Sequence, residues 1–212
     1  MKLIILFFFV MIYIHIYLHF KINPLNELSV LNDICKQEIS NTCYYKLPFV
    51  FEGKAILNKQ IDLSNNIRAY DSMPLLEPYV KFFITNTIHN LKSNKIIKLH
   101  KNLECRNFYI VHKGSVKVTC IHPKYESNFK NITSNTYSFI ENHKQMIHLN
   151  LKENDILFVP NYWYVYIKSD SIKDASNNEV NKNTIIEQIH YSTILNQFTI
   201  FCNKNISKYY GI

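Results

Sequence analysis

The chain has 212 residues, of which 47% are apolar and 14% aromatic, enough to bury the core of one ordinary domain. Only 19% of the residues are charged and there are 3 glycines and 6 prolines, which excludes collagen-like, linker-like and charge-driven disordered proteins. The net charge is +8, but the only arginines are Arg68 and Arg106, and arginine is the side chain that makes bidentate contacts with phosphates and guanines. The lysine excess therefore does not indicate a nucleic-acid-binding protein, and we interpret its densest stretch, Lys92 to Lys101, as a solvated loop.

An apolar segment without acidic residues, Lys, Arg, Gly or Pro runs from Leu3 to Phe20. Its length reaches the roughly 17–25 residues that a membrane-spanning helix needs. A cleaved signal peptide is the alternative, but it calls for small residues at the cleavage site, and residues 17–21 offer none. We predict a single-pass membrane anchor over residues 3–20. The flanking charges at Lys2 and Lys21 hardly bias its orientation, and we adopt a cytosolic N-terminus.

The rest of the chain would then lie in a lumenal or external space. Sequons at Asn131 and Asn205 suit that location. The 5 cysteines show no C-x-x-C spacing of a zinc or redox site, so isolated core thiols are expected. A disulfide between Cys35 and Cys43 is left open.

Residues 21–45 are predicted to form a helical lead-in. Apolar residues at helical spacing predict an amphipathic helix from Leu25 to Ile39. Aromatic and β-branched residues then predict a strand over Tyr44–Phe51, a turn at Glu52–Gly53, and a second strand over Lys54–Leu57. Turn-forming residues predict an irregular crossing over Ser64–Glu77, and residues 79–88 fit either a helix or a strand.

Residues 46–212 are predicted to be one mainly β domain. Asn107–His112 and Ser115–Ile121 fit a hairpin around Gly114, with Val116 and Val118 pointing inward. Residues 155–159 and 163–167 fit another strand pair, and residues 185–189 and 193–202 are rich in β-forming types. The polar segments 124–143 and 169–183 are predicted loops. Short strands with uneven loops indicate an all-β sandwich or barrel.

Three segments resemble the JmjC-like cupins. Arg106–Gly114, continuing to His122–Tyr125, resembles the N-F-x-x-x-x-x-G strand and trailing H-P-K-Y of that family. Asp155–Tyr164 resembles its D-(I/V)-L-(F/Y)-(I/V)-P-x-Y-W-W strand, and Leu47–Gly53 is similar to its L-P-F-V-x-x-G stretch. The resemblance covers about residues 47–170, and it implies a double-stranded β-helix, the jelly roll of the cupins.

Family members that are Fe(II)/2-oxoglutarate hydroxylases hold iron with an H-x-D pair and a later His just after Y-W-W. Counted back from Asn107, the H-x-D positions fall on Lys101 and Leu103. A slip of one residue places them on His100 and Asn102, where an amide replaces the carboxylate.

The position of the late His is occupied by Val165, and the lysine that pairs with 2-oxoglutarate falls on Val116, one residue before Lys117. The resemblance therefore implies a degraded metal site. We expect a non-catalytic binding or structural module without a cofactor.

An alternative keeps the hydroxylase activity, with Fe(II) and 2-oxoglutarate as cofactors. Its iron would be held by a rearranged set of ligands, namely His100, Glu104 and His190. In either reading the side chains expected around the pocket are Asn107, Lys117, Trp163 and Tyr164. A third hypothesis is an assembly scaffold that binds a protein partner at the membrane.

Overall fold

A computed structural model describes residues 2–32, 34–54, 75–79, 83–128, 140, 143–170, 183–198 and 200–201. Two helices precede most of the strands, α1 (Lys2–Phe20) and α2 (Lys36–Tyr45). The strands are β1 (Ser29–Val30), β2 (Phe49–Glu52), β3 (Phe83–Leu91), β4 (Ile96–Lys101), β5 (Arg106–Lys113), β6 (Val116–Ile121), β7 (Ile147–Leu151), β8 (Asp155–Pro160), β9 (Tyr164–Ser169) and β10 (Thr184–Ser192).

The strands form two sheets, so the mainly β prediction is confirmed. The larger sheet has the order β1-β2-β8-β5-β10-β3 and the smaller sheet the order β4-β9-β6-β7. Apart from the parallel β1–β2 pair, neighbouring strands are antiparallel. Between β3 and β10 nearly every connection carries the chain from one sheet to the other. This strand order agrees with the predicted jelly roll.

Both sheets bury apolar side chains on both of their faces, except along the edge strands β3, β4 and β7, where exposed residues recur. The inner faces meet in a layer of mostly aliphatic side chains, including Val118 of β6 and Val165 of β9. The outer face of the larger sheet carries an aromatic cluster that α2 and Leu76 cover, and the outer face of the smaller sheet packs against Ile140 and Met146. Because side chains alternate along a strand, the central strands β5 and β8 supply both layers, which explains their nearly continuous apolar sequences.

The predicted inward orientation of Val116 and Val118 is confirmed, since each is 1% exposed. The predicted pairing of their strand is wrong, because β5 pairs with β10 and β8, whereas β6 pairs with β7 and β9. Gly114, at φ 84°, turns the chain from one sheet into the other. The strand pair predicted over residues 155–167 is corrected in the same way, because β8 and β9 lie in different sheets. A tight turn specifies a reversal of direction but not the hydrogen-bond partner of either strand.

The helix predicted over Leu25–Ile39 is also displaced. Residues 29–30 form β1, and Leu31 N donates to the Val50 carbonyl oxygen at 3.0 Å. The helix begins after Cys35, whose sulfur accepts from Glu38 N, and it includes Tyr44 and Tyr45. Of the apolar residues counted for a helix, Leu28, Leu31 and Ile34 do pack against the core, but from the segment before α2 that pairs with β2. Cys35 and Cys43 are free thiols.

Three local predictions change in the same manner. Residues 96–101, predicted as a solvated loop, form β4, because Ile97 packs against the inner core and Leu99 against the outer cluster. Residues 123–128 form a 3-10 helix, and residues 194–198, predicted to be β-rich, are helical. Residues 55–74, 129–139 and 171–182, both sequons and Cys202 lie outside the described residues, with the predictions made for them.

The N-terminal helix α1 is long and apolar enough to cross a membrane, with a mean hydropathy of 2.3 and 6% of that window buried. A signal sequence satisfies the same criterion, so this is weak support for an anchor. Its C-terminal end is bound to the domain. Lys46 Nζ donates to the His19 and Lys21 carbonyl oxygens at 2.6 and 2.8 Å, and Asn161 Nδ2 donates to the His19 carbonyl oxygen at 2.9 Å. These donors satisfy carbonyl groups that a helix leaves unpaired at its C-terminus.

Candidate functional site

Polar side chains gather at one end of the space between the two sheets. We call this group the interior cluster. Strand alternation and register explain its composition, since Asn107 lies opposite His190 of β10 and His100 lies opposite Val165 of β9. Elsewhere the same space is filled by apolar, mostly aliphatic side chains. The cluster comprises His100, Asn102, Glu104, Asn107, Tyr109 and His190.

The first half of the interior cluster is a chain of hydrogen bonds around Tyr109, whose side chain is fully buried. Its hydroxyl oxygen lies 3.0 Å from His100 Nε2 and 2.7 Å from Asn102 Oδ1. Burial raises the pKa of the Tyr109 hydroxyl, which therefore stays protonated. The Tyr109 hydroxyl oxygen thus already has two hydrogen-bond partners, and both are side chains of this protein.

Proton counting assigns the donors in this chain. Burial, the largest cause, lowers the pKa of His100, so its ring is neutral at pH 7. His100 Nδ1 lies 3.0 Å from the Lys98 carbonyl oxygen, which can only accept, so Nδ1 carries the proton and Nε2 accepts from Tyr109. The one hydroxyl proton of Tyr109 is then donated to His100, so Tyr109 cannot also donate it to Asn102 Oδ1. Turning the Asn102 amide by 180° would let its nitrogen, which has no partner among the described residues, donate to Tyr109.

The second half of the interior cluster joins Asn107, His190 and Glu104. Asn107 Nδ2 donates to the carbonyl oxygens of Glu104 and Val159 at 3.1 and 3.2 Å, and its Oδ1 accepts from His190 Nδ1 at 2.7 Å. Glu104 Oε2 accepts from Leu103 N at 3.2 Å and lies 3.9 Å from His190 Nδ1. Burial lowers the pKa of His190 more than Glu104 raises it, so the ring is neutral and its Nε2 atom holds a lone pair.

The positions that the family resemblance assigns to iron ligands do not fit a facial triad. Register places Val165 directly opposite His100, and Val165 is a fully buried alkyl side chain of the inner core. Asn102 supplies an amide that is committed to Tyr109, in place of a carboxylate. Of the three positions only His100 is a metal-binding residue type, and Tyr109 engages its Nε2 atom. The alignment that is shifted by one residue agrees with the structure in one respect, since the side chains of His100 and Asn102 point into the interior.

The rearranged set is brought to the same end of the interior. The Tyr109 ring lies beside both histidines, with centroid distances of 6.3 Å to His100 and to His190. Over the part of the chain that the structure describes, no group of three or more His, Cys, Asp or Glu side chains is placed to hold a metal ion. His100, Glu104 and His190 are therefore neighbours, and Tyr109 and Asn107 each engage a ring nitrogen of one of the two histidines.

The predicted pocket residues occupy three different environments. Asn107 belongs to the interior cluster, as described above. Trp163 is 1% exposed and packs in the inner core, with its ring centroid 4.9 Å from that of His122. Tyr164 points to the outer face of the smaller sheet, and Lys117 is on the outer face of β6, where its Nζ lies 3.1 Å from Asp170 Oδ1. Tyr164 and Lys117 thus face away from the interior.

Sequence reasoning missed two residues of this region. Tyr109 follows Asn107 at the two-residue spacing of a strand, and that alternation alone would have placed it inside. His89 of β3 lies opposite Ile186 of β10, which faces the inner core, and its Nε2 is buried without a partner among the described residues. The helix or strand predicted over residues 79–88 ends one residue before His89, so the sequence pattern did not assign His89 to a strand.

Comparison with known proteins finds similarity only at the level of structure. No protein-family profile and no curated protein matches the chain. A cupin-superfamily protein from Desulfitobacterium hafniense has 9% identity and a TM-score of 0.32, covering 56% of this chain and 85% of its own. The Schizosaccharomyces pombe Cnp3 cupin domain has 11% identity and a TM-score of 0.34, covering 55% and 61%.

Lactobacillus farciminis oxalate decarboxylase has 12% identity and a TM-score of 0.34. The match covers 52% of this chain and 25% of the decarboxylase, so the present chain corresponds to about a quarter of that enzyme. The Desulfitobacterium and Schizosaccharomyces structures are cupins by name. At these scores they lend this chain neither an activity nor a ligand.

Proposed function

We propose that this protein is a membrane-anchored, cupin-like protein of the JmjC-like type, whose jelly roll works as a non-catalytic binding or structural module. The observation that carries the proposal is the pair of residues at the implied ligand positions, the Asn102 amide and the Val165 side chain. An alkyl group cannot donate an electron pair to a metal, and a neutral amide offers no charge to offset the charge of Fe(II).

The hydrogen bonds of the interior cluster support the same conclusion. A hydroxylase site needs ligand atoms that are free to coordinate, with open positions for 2-oxoglutarate and dioxygen. Here Tyr109 engages His100, and Asn107 engages His190. The bonds link β4, β5 and β10, so the cluster joins the two sheets as a structural brace.

The test is iron binding by the full-length chain, purified anaerobically in detergent, with and without 2-oxoglutarate. We expect less than one-tenth of an iron per chain and no succinate above the level of a boiled sample. The matched variant is His100→Ala, which removes the only histidine at an implied ligand position. Stoichiometric iron that tightens with 2-oxoglutarate and is lost in His100→Ala would establish the hydroxylase alternative with His100, Glu104 and His190.

The membrane anchor is supported by the way in which α1 ends. The His19 carbonyl oxygen accepts from both Lys46 and Asn161, and the Phe20 ring stacks on Tyr162 at a centroid distance of 5.8 Å. A signal peptide that was cleaved near this point would remove groups that the domain binds. We therefore propose that α1 is retained as a single-pass anchor.

Carbonate extraction tests the anchor, because a spanning helix is held by apolar transfer and not by charge. We expect the full-length chain to stay in the membrane pellet and N-terminal sequencing to begin before residue 3. A chain released by carbonate, or one that begins after residue 20, would contradict the anchor. A protein that co-purifies in detergent at a fixed ratio would identify the module as an assembly scaffold.

A further inference from the structure

A second site lies where the C-terminal end of α1 meets α2 and the ends of β5 and β10. A cavity of about 550 Å³ opens there, within the roughly 300–1,000 Å³ of typical small-molecule sites. Its wall includes Leu18 of α1, Tyr45 of α2, Arg106 of β5 and Ser192 of β10. No residue of the interior cluster lines it. We call it the junction cavity.

The junction cavity is positively charged. Lys21, Lys46 and Arg106 line it, and no Asp or Glu of the described residues does. Arg106 Nη2 donates to Ser40 Oγ at 3.0 Å, whereas Arg106 Nη1 is buried without a hydrogen-bond partner in the described part of the chain. A buried charged donor without an acceptor is costly, and an anionic oxygen would remove that cost. In general, a guanidinium binds phosphate more strongly than an ammonium group does, because it can donate from more than one N–H group.

Lys46 adds a second cationic group beside the cavity. Its ammonium group donates to two carbonyl oxygens at the end of α1, which leaves one of its three protons for a ligand. The pKa of Lys46 is lowered to about 8, first by burial and in the same direction by the Lys21 charge, while Cys105 acts against this shift. Among the described residues that line the cavity, no carboxylate balances this positive charge.

The position of the junction cavity indicates the source of the anion. His15 and Leu18 of α1 line it, and the neighbouring α1 side chains Ile14, Tyr17 and Phe20 are 44%, 56% and 49% exposed. If α1 spans a bilayer, the cavity lies at the level of the lipid headgroups, and the exposed face of α1 contacts the acyl chains. Basic pockets beside membrane helices bind anionic headgroups in this way.

We infer that the junction cavity binds an anionic membrane phospholipid, with its phosphate on Arg106 and Lys46 and its acyl chains along α1. This inference rests on the proposed membrane anchoring, because the bilayer supplies the ligand. It is independent of the interior cluster and of any activity there.

The test uses the full-length chain in dodecyl maltoside and counts bound lipid by native mass spectrometry. The chain is titrated with dioleoyl phosphatidic acid, with dioleoyl phosphatidylcholine, and with soluble glycerol 3-phosphate. We expect one phosphatidic acid per chain, bound at least tenfold more tightly than the other two probes. Arg106→Gln should weaken that binding about tenfold or more, since it removes a charge-assisted contact.

The matched control is Lys152→Gln, which makes the same change of charge at an exposed lysine in the turn before β8. It should leave the affinity unchanged. Lys21→Gln, at an exposed residue on the rim of the cavity, is the second test variant, because it keeps the inference testable if Arg106→Gln unfolds. We expect it to weaken binding about threefold.

Three results would overturn the inference. The first is equal affinity for phosphatidylcholine and phosphatidic acid. The second is equal affinity for glycerol 3-phosphate and phosphatidic acid. The third is a loss of phosphatidic acid binding in Lys152→Gln as large as the loss in Arg106→Gln. Carbonate extraction reports separately on the anchor. A chain that stays in the pellet but shows no preference for phosphatidic acid would refute the lipid site while leaving the proposed function intact.

Discussion

Removing the Tyr109 hydroxyl tests whether the interior cluster braces the two sheets. Tyr109→Phe keeps the buried ring and deletes one oxygen, which lies 2.7 Å from Asn102 Oδ1 and 3.0 Å from His100 Nε2. Both partners are then left inside the protein without this hydrogen bond. At about 1–3 kcal/mol for each unsatisfied group, the free energy of unfolding should fall by about 3 kcal/mol.

Urea unfolding of the full-length chain in detergent measures this loss. Trp163 is the only tryptophan, and it packs in the inner core near the cluster, so its fluorescence follows the unfolding of this region. The matched control is Tyr44→Phe, at a residue that is 65% exposed, and it should change the free energy by less than about 0.5 kcal/mol. If Tyr109→Phe stays within that same limit, the hydrogen bonds of Tyr109 do not stabilise the fold as argued.

Three further predictions follow from the same geometry. The double variant Asn102→Asp/Val165→His should bind about one Co(II) per chain, visible by absorbance, because it restores the implied ligands beside His100; binding equal to that of the unaltered chain would contradict the register argument. Stability should decrease as the pH falls below about 6.5, because burial lowers the pKa of His100, His122 and His190 in the folded chain and the unfolded chain then binds more protons; a melting temperature that stays constant or rises between pH 7.5 and 5 would contradict this. Gly114→Ala should cost about 1–2 kcal/mol in urea unfolding, since Gly114 has φ 84° and an added Cβ would lie 2.7 Å from Thr184 Oγ1; an unchanged midpoint would refute the strain.

The candidate site was predictable only in part. The slipped alignment to His100 and Asn102, together with the loss of a ligand at Val165, is visible in the residues themselves, and all three point inward as that alignment requires. The bond between Tyr109 and His100 is not visible there, because it joins β5 to β4 of the other sheet. Likewise, the placement of Arg106 and Lys46 around one cavity depends on how α1 and α2 pack against the ends of the strands.

Patterns within a strand or a helix were readable from the sequence by itself. The apolar segment of α1, the inward side of β6 and the mainly β character all follow from the local periodicity of side chains, which is a property of consecutive residues. Only the tertiary structure decided which strands pair. It placed β5 and β6, and also β8 and β9, in different sheets and drew residues 29–30 into an extended pair with β2. Hydrogen bonds between strands join residues far apart in the chain, and their choice depends on packing both faces of each sheet at once, which no local pattern encodes.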